Sequence, residues 1–134
     1  MPIEKAIVIG GSAGSLEALI EIVRSLQVDL PAAIFVVIHG PPRQKSYLPQ
    51  VLAPHTRWQI VLAADQASIE SGHIYVAVPD RHLLLAHDHI HLSRGPKEGL
   101  HRPSINATFR TASMAYGERV IGVLLSGMLD DGAA

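Results

Sequence analysis

Four polar residues that could take part in hydrolysis each follow an apolar stretch of the sequence. Ser12 follows the first stretch, His39 follows the second, and Asp130 and Asp131 follow the last one. A serine hydroxyl becomes a nucleophile when a histidine accepts its proton and a carboxylate orients that histidine. These residue types therefore predict serine-dependent acyl transfer, provided that the fold brings the three positions together.

The serine lies in the pattern G-x-S-x-G, which residues 10–14 satisfy with the sequence GGSAG. Between a strand and a helix, this pattern presents the hydroxyl on a sharp turn, and N–H groups at the helix start can bind a developing oxyanion. The same small residues are also compatible with a turn whose glycines only allow close packing. A dinucleotide site is disfavoured, because Ser12 replaces the second glycine of that motif and His39 stands where an acidic residue is needed.

Strands and helices alternate in the predicted secondary structure. Residues 32–38 are apolar without polar alternation, which is typical of a strand buried on both faces of a parallel sheet. The alternation predicts a three-layer α/β/α domain with a mostly parallel sheet and an antiparallel edge hairpin. Strands are predicted at residues 5–9, 32–38, 58–63, 73–78 and 120–125, a hairpin at 83–86 and 89–92, and helices at 16–26, 47–52 and from the N-cap Ser104 to near Gly117.

Such a sheet explains how distant residues could form one site. Loops that follow the carboxyl ends of parallel strands share one edge, so Ser12 and His39 can meet there. Asp130 or Asp131 reaches the same edge if the last strand is also parallel. Taken singly, His39 fits a surface loop and the two aspartates fit a turn or a helix cap. The occurrence of all three residue types directly after different buried strands favours a catalytic site, because packing alone gives no reason to expect it.

The order of these residues along the chain is Ser-His-Asp. It differs from the Ser-acid-His order of α/β-hydrolases, so we expect a different fold that uses the same chemistry.

The composition narrows the class of protein. The 134 residues contain no cysteine, 11 Lys and Arg against 12 Asp and Glu, and 4% aromatic residues. These values exclude a disulfide scaffold and argue against nucleic acid as a partner. The longest apolar run is too short to span a bilayer, so we expect no direct membrane insertion and a cytoplasmic protein. The Gly-rich sequence of residues 126–134 is typical of a strand-to-helix turn, and we therefore expect a domain that is incomplete at its C-terminus.

Eight histidines are the one compositional surplus, and they raise a metal hypothesis. His89 and His91 would project from one face of a strand, with His73, His82 and His87 nearby. The chain has no cysteine and no H-E-x-x-H pattern, and histidines on the solvent face of a hairpin need no further explanation. We therefore expect solvated hairpin histidines, no metal site and no cofactor.

The order and spacing of these motifs resemble the catalytic domain of the CheB-type protein-glutamate methylesterases of chemotaxis. The resemblance runs nearly from end to end of the chain. It is carried by residues 9–14 (IGGSAG), 37–39 (VIH), 72–79 (GHIYVAVP), 101–104 (HRPS) and 125–133 (LSGMLDDGA).

The resemblance implies a set of site residues and a reaction. Ser12 would be the nucleophile, His39 the base and Asp131 the orienting carboxylate, while the backbone N–H of Met128 would bind the oxyanion. To this set we add the N–H of Ala13, at the start of the turn after Ser12, as a second oxyanion donor. Hydrolysis of glutamate γ-methyl esters on a chemoreceptor or another methylated protein is the implied activity, with deamidation of glutamine as a related one.

Several positions depart from the family pattern. Ala13, Ile38, Gly40, Asn106 and Leu129 replace the residues that the family usually has there, so the lining of the pocket differs.

Two further expectations concern Arg102 and the extent of the domain. Arg102 is a candidate contact for an acidic substrate, and its alternative role is to hold a carbonyl. Residues 1–134 would form a single CheB-like methylesterase domain without a receiver domain. A catalytically weakened interaction module in a signalling system is the alternative function, and esterase activity distinguishes the two.

Overall fold

A five-stranded parallel sheet forms the centre of the protein in a computed structural model, which describes residues 3–39, 47–97 and 102–125. The strands lie in the order β3-β4-β2-β1-β7, and a separate antiparallel pair joins β5 and β6. The elements are β1 Lys5–Ser12, α1 Leu16–Arg24, β2 Ala32–His39, α2 Leu48–Leu52, β3 Gln59–Leu62, β4 His73–Val76, β5 His82–Leu85, β6 Ile90–Ser93, α3 Ile105–Tyr116 and β7 Val120–Leu124, with 3-10 turns at Ala13–Ser15, Ala53–His55 and Gly117–Arg119.

The two faces of the sheet bury different residues, because successive side chains of a strand point to opposite sides. On one face, Val8, Phe35 and Val37 pack in the core that α3 and the hairpin cover. On the other face, residues of the same strands, including Ile9 and Val36, pack with α1. The three-layer α/β/α prediction is confirmed by this arrangement.

Helix α3 has the start and the end that the sequence predicts. The hydroxyl of Ser104 accepts a hydrogen bond from the N–H of Ala107 at 3.2 Å, so it satisfies one of the unpaired donors of the first turn. At the other end Gly117 has a φ of 57°, a left-handed conformation that glycine adopts without strain.

Helix α3 also packs closely against β7. Phe109 lies directly over Gly122 of β7, where any side chain would clash with its ring.

The predicted hairpin is confirmed, and the structure adds where it lies. Strands β5 and β6 pair in antiparallel register, with Leu83 opposite Leu92, in a sheet of their own beside the five parallel strands. The N–H of Leu85 donates to Thr111 Oγ1 at 3.0 Å, which fastens the hairpin to α3.

Strand β1 is longer than the sequence indicates. We predict a strand ending at residue 9, but β1 continues through Gly10 and Gly11 to Ser12. The parallel ladder to β2 extends over all three residues and pairs Ser12 with His39. The small residues do not end the strand here, because the ladder to β2 supplies their hydrogen bonds.

Within the described part of the chain, α3 is the longest helix with 12 residues, and no helix there meets the length and hydropathy required for a bilayer span.

Candidate functional site

Ser12 and His39 lie side by side at the carboxyl edge of the sheet. They are the last residues of β1 and β2, and they are register partners in the parallel ladder. The prediction that the fold brings these two positions to one edge is therefore confirmed.

Both side chains belong to the face of the sheet that α3 covers. Gly10 faces Ile105, the first residue of α3, and Ser12 follows two positions later on the same face. His39 likewise follows Val37, which is part of the core under α3. The Nε2 atom of His39 is shielded from solvent. A hydroxyl and an imidazole on one face of neighbouring strands are a suitable pair for nucleophile and base.

The backbone at Ser12 is extended rather than sharply turned. Its φ of −109° and ψ of 174° are extended values typical of a strand. The prediction of a sharp turn at this residue, made from the G-x-S-x-G pattern, is therefore wrong. The turn begins one residue later, in Ala13–Ser15. Ser12 is therefore presented by the end of a paired strand, which holds its position through the sheet ladder.

Ser15 ties the end of β1 to the end of β7. Its side chain is buried, its Oγ accepts a hydrogen bond from the N–H of Ser12 at 3.3 Å, and it donates to the carbonyl of Leu125 at 3.1 Å. The Ser15 hydroxyl therefore holds the end of β1, where the candidate nucleophile Ser12 lies, against the residue that follows β7. The sequence does show its signal, because a Ser at the third position of a turn can reach back to the N-cap N–H.

The glycines of the pattern serve packing. A Cβ at Gly10 would lie 2.6 Å from Ile105 Cδ1, and a Cβ at Gly11 would lie 2.8 Å from Ser15 Oγ. Neither glycine has a positive φ. Glycine is needed at both positions because α3 and Ser15 approach closely, and not because the backbone adopts a special conformation. The alternative in which the glycines allow close packing predicts this.

Ala13 opens the turn that follows Ser12. It is the first residue of the 3-10 turn at Ala13–Ser15, and the first N–H groups of a helical turn have no acceptor within that turn. The predicted oxyanion donor Met128 and the carboxylates Asp130 and Asp131 lie outside the described residues. The strand before them does run in the required direction, because β7 is parallel to β1 and Leu124 lies opposite Gly10.

Arg102 makes structural contacts. Its Nη2 and Nε donate to Asp80 Oδ1 at 2.7 and 3.0 Å, and its Nη1 donates to the carbonyls of Arg94 and Gly95 at 3.2 Å. The hydrogen bonds from Arg102 are the main reason why the pKa of Asp80 is lowered. These contacts fit the alternative in which Arg102 holds carbonyls.

His82 has a role that the sequence does not indicate. Its side chain is buried, its Nδ1 accepts the N–H of Ser104 at 3.2 Å, and its Nε2 lies 2.7 Å from the carbonyl oxygen of Pro96. The pattern at residue 82 indicates only the approach to a hairpin, since the partners are distant in the sequence.

The hairpin histidines are partly exposed and each contacts one carboxylate. The side chains of His89 and His91 are 39% and 52% exposed, and their Nδ1 atoms lie 3.0 Å from Asp88 and 3.2 Å from Asp65. The pKa of Asp65 is lowered chiefly by the N–H of Leu92, and that of Asp88 by its hydrogen bond with His89. Within residues 3–39, 47–97 and 102–125, no three ligand side chains gather in a metal-binding group.

These features define the class of protein as a doubly wound α/β domain that carries a candidate Ser-His site at the carboxyl edge of its sheet. Residues 7–134 match the family described as CheB methylesterase. The chain belongs to this family, and the resemblance of its motifs is confirmed.

The curated relatives are named as protein-glutamate methylesterases. The chain is 34% identical over 139 residues to protein-glutamate methylesterase/protein-glutamine glutaminase 2 of Methanosarcina mazei. The alignment covers 98% of this chain and 38% of that protein. It is 38% identical over 135 residues to protein-glutamate methylesterase/protein-glutamine glutaminase 1 of Geobacter metallireducens, with 98% of this chain and 37% of that protein covered. The chain thus spans little more than a third of these relatives.

A solved structure has the same fold. The crystal structure of the Thermotoga maritima CheB methylesterase catalytic domain matches with a TM-score of 0.91 and 32% sequence identity. The match covers 96% of this chain and 70% of that chain. The predicted fold class is therefore confirmed by an independent structure as well as by the strand order.

Proposed function

We propose that this protein is a protein-glutamate methylesterase that hydrolyses glutamate γ-methyl esters of a methylated chemoreceptor in the cytoplasm. The observation that carries the proposal is the Ser12–His39 register pair on one face of the sheet, in a chain of the CheB methylesterase family. The names of the relatives support the substrate class, and the absence of cysteine is compatible with a reducing compartment.

The first half of the reaction forms an acyl-enzyme. Ser12 Oγ attacks the ester carbonyl carbon while His39 accepts the hydroxyl proton. The tetrahedral intermediate then collapses, the bond to the methoxy oxygen breaks, and His39 returns the proton to the departing methanol. A hydroxyl at the end of a fixed strand suits this step, because the geometry of attack is set before the substrate binds.

The second half restores the enzyme. Water attacks the acyl carbon while His39 accepts one of its protons, the bond between that carbon and Ser12 Oγ then breaks, and His39 returns the proton to Oγ, which leaves a glutamate carboxylic acid group that ionises in water. Asp131 orients His39 in this scheme, and the N–H groups of Ala13 and Met128 bind the oxyanion. The same steps on a glutamine side chain release ammonia instead of methanol, in line with the glutaminase part of the relatives' names.

Methanol release from a methylated receptor tests the proposal. The wild-type chain is incubated with receptor carrying radiolabelled methyl esters, and volatile methanol is counted over time. Ser12→Ala is the inactive control, and Ser25→Ala is a matched surface control because Ser25 donates to a carbonyl on the exposed end of α1. Loss of methanol release in the Ser12 variant alone supports the proposal. Equal release from wild type and Ser12→Ala would show that a different group carries the chemistry, and no release from wild type would favour the interaction-module alternative.

A further inference from the structure

His82 is a buried titratable side chain with both ring nitrogens engaged. The N–H of Ser104 can only donate and the carbonyl of Pro96 can only accept, so Nδ1 is the acceptor and Nε2 carries the hydrogen. The contacts therefore fix His82 as the neutral Nε2–H tautomer. Neither contact belongs to the proposed reaction.

The partner of Nδ1 is the residue that starts α3. Ser104 caps the helix with its hydroxyl, and its carbonyl accepts the N–H of Thr108 at 3.3 Å. His82 fixes the remaining polar group of the Ser104 backbone by accepting its N–H. The first turn of α3 is therefore located by the side chain at the start of β5.

Ile105, the first residue of α3, packs closely against β1, the strand that carries the candidate nucleophile. Three side-chain carbons of Ile105 lie within 2.8 Å of the place where a Cβ of Gly10 would be, so little space remains between the helix and β1. Gly10 and Ser12 are on the same face of β1, two residues apart. A continuous line of contacts runs from His82 through Ser104 and Ile105 to Gly10, two residues before Ser12 in the same strand.

We propose that His82 is a positioning residue for the Ser12–His39 pair, and that it acts by locking the start of α3 against β1 through the Ser104 N–H. The proposal rests on the proposed function. It predicts that the bond to Ser104, rather than the bond to Pro96, matters for the rate. A misplacement of about 1 Å, caused by a change far from the reacting atoms, can slow a reaction on the order of 100-fold.

Two amide variants, each of which places a polar atom near the position of one ring nitrogen, separate the two hydrogen bonds of His82. His82→Asn keeps an acceptor where Nδ1 stands and loses the donor to Pro96. His82→Gln keeps a donor where Nε2 stands and loses the acceptor for the Ser104 N–H. We expect kcat to stay within about threefold of wild type in His82→Asn, and to fall at least about tenfold in His82→Gln with KM changed less than about twofold.

His73→Gln is the matched control. The Nδ1–H of His73 donates to the carbonyl of Ser71 at 3.0 Å, so this variant also loses a hydrogen bond from a partly buried histidine to backbone. His73 begins β4 and therefore lies at the amino edge of the parallel sheet, opposite the site. We expect its kcat to equal that of wild type. A loss of kcat in His73→Gln as large as in His82→Gln, or equal losses in His82→Asn and His82→Gln, would overturn the proposal.

A structural measurement tests the coupling without any substrate. The backbone amide resonance of Ser12 should shift in His82→Gln and keep its wild-type position in His82→Asn and His73→Gln. An unshifted Ser12 amide in His82→Gln would overturn the positioning role. If wild type releases no methanol, the proposed function fails, while this resonance still decides whether His82 controls the strand end.

Discussion

Ser12 and His39 are paired residues in a parallel ladder and face the same side of the sheet. Two strands, rather than two loops, therefore determine the distance between the candidate nucleophile and its base. Strand ends that are paired in a central sheet move less than loops, so the pair is held in place without a bound substrate. The predictions below separate the chemical roles of these residues from their structural ones.

Ser12→Ala should abolish methanol release and lower the free energy of unfolding by about 1 kcal/mol, the typical cost of a lost N-cap side chain. The Ser12 side chain accepts from the N–H of Ser15 in a capping box, and the Ser15 hydroxyl accepts from the N–H of Ser12 in return. Ser12→Ala removes the first of these two bonds and leaves the second in place. Methanol release and urea denaturation measure the two effects.

Ser15→Ala is the contrasting variant. It removes the acceptor of the Ser12 N–H and the donor to the Leu125 carbonyl, and both groups lie at the buried junction of β1 and β7. The loss of unfolding free energy should exceed that of Ser12→Ala, because two polar groups lose their partner at a cost of about 1–3 kcal/mol each. Equal stability of the two variants, or activity in Ser12→Ala, would contradict these assignments.

The rate should rise with pH from acid to neutral conditions, because only the neutral imidazole of His39 can accept a proton. The measurement is kcat/KM for methanol release across acid to neutral pH, with the fold checked by circular dichroism at each point. A flat profile over that range would remove His39 from the role of base.

The sequence predicts most of the fold because each element has a local signal. The apolar run of β2 is long and uninterrupted, and the cap at Ser104 and the glycine at Gly117 mark both ends of α3. The end of β1 is missed for a physical reason. Its last three residues have low strand propensity, and pairing with β2, joined at Gly10 by pairing with β7, makes them a strand.

The site is predicted in part for the same reason. Ser12 and His39 follow apolar runs that are visible in the sequence, and the parallel topology then joins them. The contacts of Ser15 with Leu125 and of His82 with Ser104 join residues far apart in the chain. No local pattern encodes such contacts, because the packing of α3 and β7 against β1 creates them.

Chelators should leave the rate unchanged. Serine-dependent ester hydrolysis needs no metal, and the exposed hairpin histidines His89 and His91 each contact a single carboxylate. The measurement is methanol release before and after treatment with EDTA, with a dialysed sample as control. Loss of activity that zinc restores would instead support the metal hypothesis.

The Asp80–Arg102 pair should stabilise the protein more at neutral pH than in acid. Arg102 lowers the pKa of Asp80 in the folded state below its ordinary value of 3.8. The stabilisation is therefore complete above the unfolded pKa and is lost as the pH falls through the folded one. Wild type should exceed Asp80→Asn in unfolding free energy at pH 7, and the difference should shrink in strong acid. Urea denaturation over a pH series measures it, and a difference that grows in acid would contradict the sign.

The last prediction separates the two neighbouring carboxylates, Asp130 and Asp131. The resemblance to the family selects Asp131, which stands directly before Gly132, and β7 leads the chain towards the edge where His39 lies. Asp131→Asn keeps the size of the side chain but removes the charge that stabilises a protonated His39, so kcat should fall on the order of 10⁴-fold, as in the well-studied Ser-His-Asp triad. Asp130→Asn, the matched control, should lose less than about tenfold. Steady-state methanol release for both variants provides the comparison, and the reverse ranking would assign the orienting role to Asp130.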